Sequence, residues 1–153
     1  MNFNITGNPM IIFRVEGQPV GKARARTVAR HGFVQSYTPQ KTRDYETKVK
    51  EAYIKAGGEM FPDEPLGILI TAYFEVPKSY SKKKTAACHA GEIKPTGKPD
   101  LDNIAKLVLD ALNGVAFKDD SRVCKLYVGK HYAPDFYNEP GLSVIVCRLE
   151  DEP

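Results

Sequence analysis

A chain of 153 residues, 42% hydrophobic and 27% charged, is the size of one ordinary domain with enough apolar side chains to bury a core, which excludes a disordered tail or a disulfide-stapled miniprotein. Three scattered cysteines (Cys88, Cys124, Cys147) and no basic-then-apolar leader point to reduced thiols in a cytoplasmic protein, and no apolar run is long enough to span a membrane. Net charge is only +3, yet lysines and arginines crowd residues 20–50 and 77–98, while acids gather between Asp100 and Asp120 and in the tail at Glu150, Asp151 and Glu152. Basic regions around an acidic focus suit a polyanion held against a cation-binding site.

Residues 10–15, Met-Ile-Ile-Phe-Arg-Val, form a short β-rich run expected to be a strand. Residues 20–37 carry Gly21 and Gly32 and no helical period, so an extended loop is expected, with a short strand at 33–37. Within it Lys22, Arg24 and Arg26 alternate with alanines. In extended backbone a period of two puts the three cations on one face, a comb able to follow successive phosphates; the plainer reading is a solvated basic loop. Thr38 as N-cap and Pro39 at the first helical position predict a helix to about Ala56, closed by Gly57-Gly58. Lys41 and Arg43 fall in its first turn, where cations oppose the helix dipole, a mild cost expected if they face an anion.

Residues 66–76 read as a central strand, and residues 78–97 as a long irregular loop whose Lys82, Lys83 and Lys84 suit a nucleic-acid contact or plain solvation. A second helix is predicted from Asp102 or Asn103, with Ile104, Leu107, Val108, Ala111 and Leu112 on one apolar face and Asn103, Lys106 and Asp110 on another. Asn113-Gly114 closes it. Residues 122–132 and 142–149 are the last two strand candidates, joined through Pro134, Asn138, Pro140 and Gly141. The order predicts a single α+β domain over residues 1–153, with one mixed sheet of about four to five strands and two main helices packed on it.

The second helix is flanked by carboxylates, Asp100 and Asp102 before it and Asp119 and Asp120 after it. In an extended segment Asp100 and Asp102 would point the same way. Oxygen ligands of this kind select Mg²⁺ or Mn²⁺ over zinc, and phosphodiester hydrolysis needs such a cation to neutralise the phosphate and activate water. Taken singly, Asp102 could simply cap the helix, Asp119-Asp120 could be a polar turn, and Lys106 could ion-pair with Asp102 or Asp110 four residues away. Taken together they would converge only if the chain folds back, with Asp120 starting a strand beside the helix N-terminus, because a helix of about ten residues is roughly 15 Å long. His31, His89 and His131 are scattered and suggest no zinc site.

Lys98-Pro99-Asp100-Leu101-Asp102-Asn103, then Lys106, Asp110-Ala111-Leu112-Asn113-Gly114 and Asp119-Asp120-Ser121-Arg122-Val123, closely resembles the RusA family of Holliday junction resolvases, often carried by phages. Gly21 to Arg26 and Tyr37-Thr38-Pro39 through Tyr45-Glu46 resemble the family's N-terminal half. The resemblance implies a homodimer that binds branched DNA, the four-way junction, and makes paired symmetric nicks with Mg²⁺ (Mn²⁺ can substitute). It assigns metal binding and catalysis to Asp100, Asp102 and Asp120, and a catalytic role to Lys106; the role of Asp119 stays open. The DNA-contact candidates are Lys22, Arg24, Arg26, Lys41, Arg43, Lys82, Lys83, Lys84 and Lys98. Two features depart from the family pattern: Gly97-Lys98-Pro99 stands where some members carry arginines, and the loop over 78–97 is longer than in the shortest members. Two other readings remain, a Mg²⁺-dependent nuclease for flaps or other branched DNA, and a non-enzymatic DNA-binding module.

Overall fold

The structure is a computed structural model and describes residues 10–137 and 139–149. The acidic tail at Glu150, Asp151 and Glu152, Asn138 of the last turn and the first nine residues lie outside the described residues.

Four strands form one mixed sheet in the order β1-β6-β4-β5: β1 (Met10–Glu16), β4 (Leu66–Phe74), β5 (Val123–Tyr132) and β6 (Gly141–Arg148). β6 pairs antiparallel with both β1 and β4, while β5 runs parallel to β4 and forms one edge of the sheet. The long apolar run of residues 66–76 lands in the interior of the sheet, between β6 and β5, with Leu66, Ile68, Ile70 and Ala72 of one face fully buried. Two helices, α1 (Gln40–Lys55) and α3 (Leu101–Leu112), cover one face. Tyr45, Val49 and Tyr53 of α1 and Ile104, Leu107, Val108 and Leu112 of α3 meet Phe13, Ile68, Ile70, Val144 and Val146 in one core. This is the α+β architecture expected, a mixed four-stranded sheet with two main helices.

Three local expectations are corrected. Residues 26–37 are a hairpin of β2 (Arg26–Arg30) and β3 (Phe33–Tyr37), not a loop with one strand. Its two-residue turn needs positive φ at both central positions, and His31 (φ 50) and Gly32 (φ 78) supply it. Within the expected irregular loop, Ser81 accepts a hydrogen bond from the Lys84 amide (3.2 Å) and caps a short helix, α2 (Lys82–His89). Helix α1 begins one residue later than predicted: Pro39 is its cap, and its carbonyl accepts from the amides of Thr42 and Arg43.

The direction of α3 decides where the acidic residues stand. Its C-terminal loop is tied to the start of β4, Phe61 N–H donating to Ala116 O at 2.8 Å. The segment before its N-terminus is tied to the far end of β5, where Lys130 Nζ donates to Gly97 O. Helix α3 therefore runs antiparallel to β4 and β5.

Candidate active site

Leu101 opens α3, so Asp100 occupies the N-cap position and Asp102 the first turn. They are not alternate residues of an extended segment, and Asp102 is not the cap. Asp100 makes no side-chain capping bond; its carbonyl accepts the first helical hydrogen bond from Ile104 N–H at 3.1 Å, and its carboxylate meets Lys98 Nζ at 2.5 Å. Both partners of that pair are substantially exposed, so it contributes little stability and leaves the carboxylate available to another cation. Asp100 and Asp102 thus put two carboxylate oxygen donors, the kind a hard cation takes, at one end of the helix.

Lys106 is exposed one turn beyond Asp102, and among the described residues no carboxylate pairs with it. The expected ion pair with Asp110 is taken over by another residue. Lys22 Nζ lies 3.0 Å from Asp110 and also bonds Glu46 of α1, while its backbone N–H donates to Asn103 O at 2.8 Å. Burial alone would lower the Lys22 ammonium, but the bonds to Glu46 and Asp110 outweigh it and hold it above the ordinary lysine value. Lys22 is thus a bolt between α1 and α3 and does not belong to the phosphate comb proposed with Arg24 and Arg26, which remain exposed. Sequence reasoning missed Glu46, and the visible signal was Gly21: a Cβ there would stand 2.7 Å from Pro99 Cβ and 3.1 Å from Asn103 Cβ. Only glycine lets the loop lie against the start of α3.

Asp119 and Asp120 stand at the other end of the helix. Asp120 starts a short 3₁₀ turn (Asp120–Arg122) leading into β5, whose first residue pairs with Leu66 of β4. Arg122 there bonds Asp63 at 3.1 Å. The hydroxyl of Ser121 beside Asp119 holds its carboxyl below the usual carboxylate value, which ties Asp119 to the local turn. A helix of twelve residues spans about 18 Å, so a single chain does not bring Asp120 to Asp100 and Asp102. Among the described residues no group of three or more acidic, histidine or cysteine side chains converges. Two oxygen donors per chain still fit Mg²⁺, which typically takes one or two carboxylates and completes its shell with water and substrate phosphate.

Beside Pro99 opens a cleft of about 640 Å³ lined by Gly21, Arg26, Lys41, Phe74, Lys98 and Pro99. Three of the predicted DNA contacts, Arg26, Lys41 and Lys98, therefore share one concavity next to Asp100. Arg43 is on the exposed side of α1, engaged with Gln40 at 2.6 Å. Lys82, Lys83 and Lys84 are exposed in the first turn of α2, with Lys84 over the ring of Tyr80 at 3.6 Å.

Residues 16–146 match the family "Endodeoxyribonuclease RusA". The chain belongs to the RusA endodeoxyribonuclease family. The RusA match spans every element of the site just described, from the loop at Gly21 through α3 to Asp120, and makes the chain at family level a Holliday junction-resolving endonuclease. A similar protein from Bacillus subtilis (strain 168), described as "Uncharacterized protein YqaN", is 36% identical over 141 residues, which cover 91% of this chain and 96% of that protein. No helix among the described residues is long and apolar enough to cross a membrane.

Proposed function

We propose that this RusA-family chain is a Mg²⁺-dependent, structure-specific endodeoxyribonuclease that resolves four-way DNA junctions as a homodimer. The observation that carries the reading is the placement of Asp100 and Asp102 at the N-terminus of α3, beside a cleft whose cations Arg26 and Lys41 have no acidic partner among the described residues. Bound there, Mg²⁺ supplies neutralisation of the scissile phosphate and activation of the hydrolytic water. Asp100 and Asp102 would hold the ion, and Lys98, now paired with Asp100, would be free to meet the DNA backbone. Lys106, exposed on the same helix, offers its ammonium to the charge that develops on the phosphate oxygens. The cleft cations and the lysines of α2 fix the backbone by charge, giving orientation and affinity but no base identity.

The position of Asp120 supports the dimer. β5 is an open sheet edge, and its Leu126 and Tyr127 are 43% and 41% exposed. Antiparallel pairing of β5 with its copy about a two-fold axis runs the two α3 helices in opposite directions. Asp120 of the partner subunit would then approach Asp100 and Asp102, and two-fold symmetry would repeat the arrangement on the other side of the axis. Two such sites suit paired symmetric cuts.

The test is cleavage of a labelled synthetic four-way junction in Mg²⁺, comparing wild type with Asp102→Asn and including flaps and linear duplex. Paired nicks by wild type, abolished in a variant that still binds the junction, support the reading. Cutting confined to flaps would make it a different branched-DNA nuclease, and tight binding without any metal-dependent cut would leave a DNA-binding module.

A further inference from the structure

The β2–β3 hairpin is an anomaly of packing. All ten of its strand residues are exposed, including Phe33 at 80% and Val34 at 75%. A two-stranded ribbon with nothing beneath it is marginal in water, so a partner must complete it. Its register sorts the side chains into two unlike faces. Arg26 opposes Tyr37, Val28 opposes Gln35 and Arg30 opposes Phe33, which puts two arginines, two aromatic rings and an amide on one side. Thr27, Ala29, Val34 and Ser36, all smaller, take the other. The first face carries a shallow concavity of about 330 Å³ lined by Val28, Arg30, Gln35 and Tyr37.

Charge selects the occupant. No acidic residue occurs between Glu16 and Asp44, a stretch that holds Lys22, Arg24, Arg26, Arg30, Lys41 and Arg43. Lys22 apart, these cations have no acidic partner among the described residues, and apolar rings set among them match DNA, whose bases present flat faces and whose phosphates are anionic. The root of the ribbon is also placed for it, since Arg26 lines the cleft that reaches Pro99 beside the candidate metal carboxylates. DNA engaged at that site passes the ribbon's base.

We infer that the hairpin is a DNA-gripping arm, with Phe33 and Tyr37 stacking on bases left without a stacking neighbour at a branch point and Arg26 and Arg30 holding the flanking phosphates. The arm rests on the DNA-binding part of the proposed function and extends it, by assigning the preference for branched over linear DNA to Phe33 and Tyr37 and additional backbone affinity to Arg26 and Arg30.

The experiment measures binding in EDTA, where no cutting occurs, to a fluorescent four-way junction and to linear duplex of the same length. Phe33→Ala/Tyr37→Ala is expected to weaken junction binding roughly tenfold to a hundredfold and duplex binding far less. Arg26→Gln/Arg30→Gln is expected to weaken both alike and to lower the slope of log affinity against log salt by about two. The ribbon's strand residues are all exposed, so replacing residues 26–37 by Gly-Gly should keep the fold and reproduce both losses, with thermal unfolding as the check on the fold. Wild-type affinities for both DNAs in all three variants would overturn the inference. So would a fall in molecular mass by light scattering that accounts for the loss of binding, because the ribbon would then clasp a second copy. If wild type itself bound no DNA, the proposed function would fail instead.

Discussion

Lys22 shows how a side chain that reads as a DNA contact can serve the interior. Its ammonium sits between Glu46 and Asp110, with only 18% of the side chain exposed, and links two helices that otherwise present like charges to each other. Lys22→Gln leaves those carboxylates facing without a cation and is expected to lower unfolding stability by about 1–3 kcal/mol in urea titration. Adding Glu46→Gln and Asp110→Asn should recover part of that loss. The pH dependence has a definite sign. The fold raises the lysine above its ordinary value of 10.5, so the contribution is complete below that value and disappears as pH rises through the higher folded value. From neutral pH up to the ordinary lysine value wild type should therefore keep its advantage over Lys22→Gln and lose it in strongly alkaline solution; an advantage already gone between about pH 7 and 10 would refute this account. Alternation in the sequence could not reveal the role, because it says which residues share a face and not which face meets a neighbouring helix.

Helix α3 was readable because one apolar stripe and Asn113-Gly114 set its span and its buried side without tertiary information. β4 was readable for a similar reason, a continuous apolar run that only an interior strand accommodates. The hairpin was hidden because its strands contribute nothing to the core, and hydrophobic periodicity reports only what the core demands. α2 was hidden because Lys-Lys-Lys-Thr-Ala-Ala-Cys-His has no apolar stripe; the cap at Ser81 and a single buried Cys88 are enough to form it. What no local pattern conveys is how Gly21 seats against the start of α3. Gly21→Ala forces a Cβ into the rigid Pro99 ring and should cost about 1–3 kcal/mol of stability. By displacing the approach to Asp100 it should also slow junction cleavage at saturating DNA roughly tenfold to a hundredfold. Gly97→Ala is the matched control, since a Cβ there meets nothing within 4 Å, and it should be silent in both assays. Equal behaviour of the two alanine variants would remove the docking loop from the site.

Asp120 stands apart from Asp100 and Asp102 in one chain, and the proposed dimer would bring them together. The carboxylates lie at opposite ends of a helix about 18 Å long, and the free edge of β5 runs beside it. Sequence spacing suggested convergence within the chain, because whether a strand starts beside the N-terminus or the C-terminus of the preceding helix depends on non-local pairing. In the proposed two-fold arrangement each site would take Asp100 and Asp102 from one subunit and Asp120 from the other. Asp102→Asn and Asp120→Asn should each abolish cutting as homodimers. When the two inactive proteins are mixed and allowed to exchange subunits, each mixed dimer regains one intact site and one doubly defective site. About half of the dimers are then mixed, each with one working site of two, so nicking should return to about a quarter of the wild-type site count. The product should be single nicks instead of paired ones, resolved by denaturing gel on a junction labelled in each strand. Sites built within one chain would give no recovery at any mixing ratio. Leu126→Lys, which puts a like charge on both sides of the axis at the β5 edge, should lower the mass in light scattering toward that of one chain and abolish recovery together with wild-type cutting.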